Sequence, residues 1–368
     1  MTTFASLFVP EAVRDAVSDA AWLEAMLDAE RALANAAALA GALDASEAAA
    51  VADACDASLY DIDALAAEGR AVANPVEPLV RALRERAPAV HRGATSQDIL
   101  DTASMLVARR ALGEIAAEVE AARAACAKLA RTHRSTPMAA RTLLQQAVPT
   151  TFGYVAAQWY VSLGAAEPRL PAQLGGAAGT LAAFGEHALE LKRRFAAELE
   201  LEDPQLPWHT NRAPVAELAG FLDRIAQAAA KIALDVILLA QSEVGEVREA
   251  SGGGSSTMPH KRNPARAVRA RACARGVHAQ AALLAATGDY ELQRAAGAWQ
   301  AEWNALSEAL ALAGGAAAAL RECLESLEVD AERMRENMGE ELYAERDTLG
   351  LTGDYLGAAE AFVDAVLG

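Results

Sequence analysis

Apolar positions recur at helical spacing along most of this chain. Trp22, Leu23, Met26, Leu27, Leu33 and Leu39 fall on a common face if residues 19–43 coil as a helix. A second run, residues 98–131, follows Thr95 and Ser96, either of which suits an N-cap. It carries Asp98 and Asp101 near its start, where the helix dipole favours anions. Further runs cover residues 214–247, 263–287 and 300–327. These exceed the average globular helix of ~10–14 residues. No convincing alternation of β-branched residues marks a strand. The pattern predicts an all-α fold, a bundle of long antiparallel helices.

Breaks fall at Ala73-Asn74-Pro75, Arg134-Ser135-Thr136-Pro137, Gly175-Gly176-Ala177-Ala178-Gly179 and Glu202-Asp203-Pro204. They suggest a helical N-terminal domain over residues 1–110, a central long-helix bundle over 111–330 and a short C-terminal segment over 331–368. No internal repeat is visible.

Composition agrees with a large helical core. The chain has 368 residues, 53% of them hydrophobic, and is rich in alanine, the best helix former. No run of roughly 18 apolar residues predicts a membrane span. Met1-Thr2-Thr3-Phe4 does not open a signal peptide. Cys55, Cys126, Cys273 and Cys323 are widely spaced, which favours free thiols in a cytoplasmic protein over a disulfide or zinc framework. The net charge of −17 argues against nucleic acid as a partner. A basic cluster, Lys261, Arg262, Arg266, Arg269, Arg271 and Arg275, stands against that field and suits a small anionic substrate. For Arg271 and Arg275, pairing with acidic neighbours is the favoured reading.

The richest chemistry lies just before that cluster, from Ser251-Gly252-Gly253-Gly254-Ser255-Ser256 through Thr257-Met258-Pro259-His260-Lys261 to Arg262-Asn263-Pro264. Glycines allow close backbone approach to a ligand, serines offer hydroxyls, and Lys261 supplies a cation. Asn263 as N-cap and Pro264 at the first helical position would aim a helix N-terminus at an anion. A plain flexible linker would not combine these features.

From Gly254 to Asn263 this run resembles the signature loop of the fumarase/aspartase superfamily, Gly-Ser-Ser-x-Met-Pro-x-Lys-x-Asn. Three other segments extend the resemblance. His91-Arg92-Gly93-Ala94-Thr95-Ser96-Gln97-Asp98 matches a Thr-Ser-x-Asp segment that the family places at its substrate, though by itself it reads equally as a helix cap. Arg141-Thr142-Leu143-Leu144-Gln145 matches a segment in which fumarases and adenylosuccinate lyases carry His where Leu143 stands. Taken alone, it reads as the start of a helix with buried leucines. Gly175 to Thr180 resembles a glycine segment near the family's site, and close helix packing explains it as well. A dinucleotide fingerprint is a poor reading of it, since no strand precedes it.

The family removes a group β to a carboxylate, and a hydroxide or amine leaving group needs a proton from a general acid. A carboxylate, with a pKa of ~4, does not. Leu143 therefore points to the 3-carboxy-cis,cis-muconate cycloisomerase branch. Similar wording recurs at Asn74-Pro75-Val76, Leu206-Pro207-Trp208-His209-Thr210 with Arg212, Glu291 to Arg294, and Gly297 to Trp303. Departures are Leu143 for a branch Trp, Gln146 for a branch His and Arg92 for an aromatic residue. Adenylosuccinate lyase, or another lyase releasing fumarate, is the alternative; it shares the Met-Pro-His-Lys-Arg-Asn-Pro wording.

The resemblance implies a fumarase/aspartase-like fold in which the central bundle carries oligomerisation and the active site. It implies a homotetramer with composite sites, a small polycarboxylate substrate, and neither cofactor nor metal. Ser255 would transfer the proton, with Lys261 lowering its pKa. Asn263 and Arg294 would join Lys261 in holding carboxylates, and Thr95, Ser96 and Gln145 would complete the pocket. Asn74, His91, Gln97, Ser256 and Met258 are further substrate contacts by position. Thr180 is a weaker candidate. His260 would orient Lys261, His209 has no assigned role, and His133 and His278 read as surface residues.

Overall fold

The computed structural model describes residues 4–164, 166–250, 253, 254, 258 and 261–368. Five long helices dominate it: α1 (Asp19–Leu39), α2 (Ser96–Thr132), α3 (Ala213–Leu239), α4 (Ala265–Ala286) and α5 (Ala298–Glu325). Each matches an apolar run of the sequence to within a few residues, except that α3 stops well short of residue 247. At 1.5 Å per residue, α2 is about 55 Å long, α3 and α5 about 40 Å, and α4 about 33 Å.

The bundle is α2 to α5, with α1 packed across α2. Its faces are lined with small residues. On α5, Ala305, Ala309, Ala313, Ala316, Ala317 and Ala319 are buried. Small contacts let axes approach closely and leave no spare volume. A Cβ on Gly315 would lie 2.5 Å from the Phe8 carbonyl oxygen, and one on Gly276 would lie 2.5 Å from Leu312.

Polar contacts fix the direction of each rod. Arg212, just before α3, bonds Asp101 in the first turns of α2 and Glu302 near the start of α5. Thr287, just after α4, also reaches Glu302. One pole of the bundle thus gathers the starts of α2, α3 and α5 and the end of α4.

Among the described residues, six short strands accompany the all-α bundle, although no strand signal stood out in the sequence. They form three antiparallel ribbons: β1 (Pro137–Thr142) with β2 (Gln145–Thr151), β3 (Val247–Glu249) with β6 (Leu327–Val329), and β4 (Gly253–Gly254) with β5 (Arg262–Asn263). Met138 pairs with Thr150 and Thr142 with Gln145, across a register shift between Ala139 and Arg141. The connection is Leu143-Leu144, both at positive φ (52° and 64°) and 97% and 71% exposed. A two-residue hairpin turn of this hand normally uses Asn-Gly. Leucines hid it, and the reading of a helix start with buried leucines is wrong.

These ribbons follow the ends of α2, α3 and α5, and they are joined to one another. Arg141 of β1 makes a bidentate pair with buried Glu246 (2.9 and 2.6 Å), and Asn337 bonds the same carboxylate at 2.8 Å. The ribbons therefore mark the second pole.

A second correction concerns the start of α4. It begins at Ala265, and no side chain of Asn263 or Pro264 caps it. Its free amides are taken by buried Glu249, which accepts from the N–H of Ala267 at 2.9 Å and of Arg266 at 3.2 Å. The positive end of this helix is already neutralised by a protein carboxylate, so it does not offer itself to a substrate anion.

Candidate active site

At the first pole a buried charge cluster organises the candidate residues. Arg212 is 3% exposed along its side chain and forks across Asp101 (2.6 and 3.1 Å), while its Nε and Nη2 meet Glu302 (3.2 and 2.5 Å). Its guanidinium lies between the rings of Trp208 (4.8 Å) and Tyr290 (5.0 Å). Trp299 donates to Asp101 at 2.9 Å. Two carboxylates share one cation here, and burial pushes the Glu302 carboxyl up while Arg212 pulls it down. Burial opposes the charge on Arg212, but Asp101 and Glu302 hold its pKa above the usual range.

Gln97 connects the cluster to Arg294. Its amide nitrogen donates to Asp101 (3.0 Å) and to the His209 carbonyl (2.7 Å). Asp101 and a carbonyl only accept, so the amide oxygen must face the other way, toward Arg294 Nη1 at 2.8 Å. Nη2 of Arg294 donates to the Ala177 carbonyl at 2.9 Å. Both partners of Arg294 are neutral, and among the described residues no carboxylate pairs with it. A half-buried guanidinium held in place without a counter-ion suits a substrate carboxylate. Gln97 is fully buried with its amide in use, so it orients Arg294 and is not itself a free contact.

The segment before α2 is equally constrained. The Thr95 hydroxyl and Asp98 carboxylate form a reciprocal capping box. The hydroxyl accepts from the Asp98 amide and keeps its own proton for donation. Asp98, fully buried, also accepts from the amides of Gly175 (2.8 Å) and Gly176 (2.9 Å) and from Gln173 (3.1 Å). Burial pushes its carboxyl up to about 6, against hydrogen bonds that favour the anion. The glycine segment is thus tied to the Thr95-Ser96 start of α2, with Ser96 half-buried beside it. Thr180 continues that segment.

His91 sits at φ 60°, with Nδ1 2.6 Å from Glu30 of α1. His209 shares this pole. A Cβ on Gly179 would lie 2.3 Å from its imidazole, so only glycine admits the ring there. Burial, then the charge of Arg294, hold the His209 pKa below the usual range. Asn74 instead spends its Oδ1 on the Val76 amide (2.9 Å), which starts helix Val76–Arg84. It lines a cavity of about 770 Å³ with Trp22, Met26, Leu65, Trp303 and Leu312. That lining contains Asp19, Asp63 and Glu308 and no cation, which does not suit a polycarboxylate.

The remaining candidates are at the second pole. Gln145 is exposed beside the Leu143-Leu144 turn. Met258 and Lys261 are exposed, the Lys261 amide bonding the Met258 carbonyl at 3.0 Å. Asn263 pairs with Gly253. Ser255, Ser256 and His260 lie outside the described residues. Of the basic cluster, Arg266 pairs with Glu249 (3.5 Å) and Glu322, and Arg269 with Glu322. His133 and His278 are not simple surface residues: His133 packs edge-on to Phe152, and His278 bonds Asp223 at 2.5 Å.

Sequence reasoning missed Tyr290 at the first pole, placed Asp101 only on the helix dipole, and gave His209 no role. Arg212, Trp299 and Glu302 were visible only as parts of resembling segments. A lone charged residue in a helix pattern carries no mark of burial.

A bundle of long Ala-rich rods, with a guanidinium at one end that meets no carboxylate among the described residues, defines a class: helical lyases of fumarase/aspartase-like fold. The chain belongs to the lyase family, whose profile matches residues 10–278. It is 47% identical to nitrosuccinate lyase of Streptomyces davaonensis, over 95% of this chain and 80% of that one. It is 44% identical to 3-carboxy-cis,cis-muconate cycloisomerase of Bradyrhizobium diazoefficiens, over 89% of this chain and 77% of that one. The crystal structure of 3-carboxy-cis,cis-muconate lactonizing enzyme from Pseudomonas putida superposes with TM-score 0.88 at 33% identity, covering 99% of this chain and 98% of that one.

Proposed function

We propose that this chain is an intramolecular lyase that converts 3-carboxy-cis,cis-muconate to 4-carboxymuconolactone in protocatechuate breakdown, in the cytoplasm. The cycloisomerase relatives support the substrate. The observation that sets aside lyases with an amine or hydroxide leaving group is Leu143, apolar and 97% exposed where proton-donating members of the superfamily have His. A leaving carboxylate does without that donor.

In the lactonising direction a substrate carboxylate oxygen bonds to the ring-forming carbon. The alkene electron pair moves to the carbon α to another carboxylate, and that carbon takes a proton from Ser255. Arg294, Lys261 and Asn263 hold the carboxylates, and Thr95 and Ser96 donate to the aci-carboxylate character that develops. In the reverse direction Ser255 takes the same proton back.

The 47% identical nitrosuccinate lyase favours a second reading, elimination of nitrite from a nitro-dicarboxylate. Nitrite, too, leaves without protonation. Purified protein incubated separately with 3-carboxymuconate, nitrosuccinate and adenylosuccinate, followed by ultraviolet absorbance, decides. Turnover of the first alone is expected. Turnover of nitrosuccinate alone establishes the second reading, and turnover of adenylosuccinate alone removes both.

The same reading requires more than one subunit per site, in a homotetramer. The candidates divide between poles separated by rods of about 33–55 Å. The exposed leucines at the hairpin tip, both in a backbone region costly for non-glycine residues, suit a segment covered by another copy. The three-part division of the chain fits this assembly, with α2 running unbroken through residue 110 to join the first two parts.

A further inference from the structure

We propose that Glu30 is a positioning residue that sets the tautomer and orientation of His91. This rests on the reading above, in which His91 contacts substrate. Glu30 lies on the buried face of α1, its side chain 0% exposed, and His91 is 10% exposed along its side chain. Their contact, Nδ1 to Oε1 at 2.6 Å, joins residues 61 positions apart. A carboxylate only accepts, so Nδ1 carries the proton. Nε2 is then the nitrogen left for a ligand, and its role is fixed by the bond on the other side of the ring.

Two features make the pair a poor device for stability alone. Glu30 Oε2 is buried and has no hydrogen-bond partner among the described residues. A buried carboxylate with half its acceptors unused is costly, and an apolar side chain of similar volume would avoid that cost. His91 also holds φ at 60°, a left-handed conformation uncommon for any residue with a side chain. A helix-to-loop contact that needed only packing would use neither. The loop they pin is the one that leads into Thr95 and Ser96. Gly93 is pressed against the Phe184 ring, and a Cβ on Gly176 would lie 3.1 Å from the Gly93 carbonyl. The loop after His91 is thus closely packed, and Glu30 fixes the orientation of the ring.

The test separates positioning from structure. In Glu30→Leu, the melting temperature should hold or rise while kcat/KM on the turned-over substrate falls about tenfold or more. Glu30→Gln, which keeps an acceptor for Nδ1–H, should restore part of the loss. In a His91→Asn background, Glu30→Leu should cause no further loss, because both changes remove one function. Nitrogen chemical shifts of the His91 ring should show Nδ1 protonated in the wild type and a mixed ring in Glu30→Leu. Unchanged activity in Glu30→Leu, or losses that multiply with His91→Asn, would overturn the proposal. If Glu30→Leu does not fold, Glu30→Gln with the same ring shifts still decides. The ring shifts need no substrate, so an inactive wild type would count against the proposed function and leave the Glu30–His91 relation to be judged alone.

Discussion

Arg294 and Arg212 show how little a residue's type says about its task. Both are arginines at one pole, within reach of Asp101 directly or through Gln97. Arg212 is enclosed by two carboxylates and two aromatic rings and is spent on structure. Among the described residues Arg294 meets only neutral oxygens, which is why it is proposed to meet a ligand. The difference is not readable from local sequence, because the partners of Arg212 stand 111 and 90 positions away. Thr95 was readable, because its capping partner Asp98 is three positions on and belongs to a local pattern. Ser255 was readable only through its place in the signature loop. Its role is tested by Ser255→Ala, which should lower turnover at least ~10²-fold with KM little changed, as expected for an acid–base group. Ser256→Ala is the control and should matter less. Wild-type turnover in Ser255→Ala would remove the assignment.

The five long helices were legible because a 3.6-residue period over more than twenty residues is a strong signal, and the alanine content reinforces it. Their ends were less so. Glu249, which caps α4, lies 18 positions before the amide it bonds, on a strand that the sequence did not announce. Glu249→Ala should leave the amides of Arg266 and Ala267 without their acceptor and destabilise the protein by about 1–3 kcal/mol in urea unfolding. A change under about 0.5 kcal/mol, typical of ordinary surface substitutions, would mean that water replaces the cap freely. The start of α2 has a pH signature. Asp98 binds its proton more tightly folded than unfolded, about 6 against 3.8. Its contribution to stability is therefore complete below pH 3.8 and lost as pH rises through 6. Two units correspond to about 3 kcal/mol. Asp98→Asn, which does not titrate, should gain on the wild type by that order between pH 4 and 7. A stability difference that stays constant over this range would show that the amide donors keep the group anionic throughout.

At the scale of the whole molecule, directions of the rods decide what one chain can do. α2, α3 and α5 start at the pole of Arg294, Thr95 and His91, and they end at the pole of Gln145, Lys261 and Asn263. A carboxylate substrate spans only a few ångströms, so no single copy can present both sets to it. A symmetric assembly with antiparallel neighbours would place the first pole of one copy beside the second pole of another. Two variants test this: Arg294→Gln at the first pole and Ser255→Ala in the signature loop of the second. Each alone should be nearly inactive. After the two are unfolded together and refolded, some mixed sites should receive an intact first pole from one chain and an intact loop from the other. Part of the wild-type activity should then return, with a native mass of four chains. Two changes confined to one chain's own site could never complement, because every site would carry one of them. Failure to recover activity after verified subunit exchange, or full activity in a species with the mass of one chain, would show that the poles are brought together in some other way.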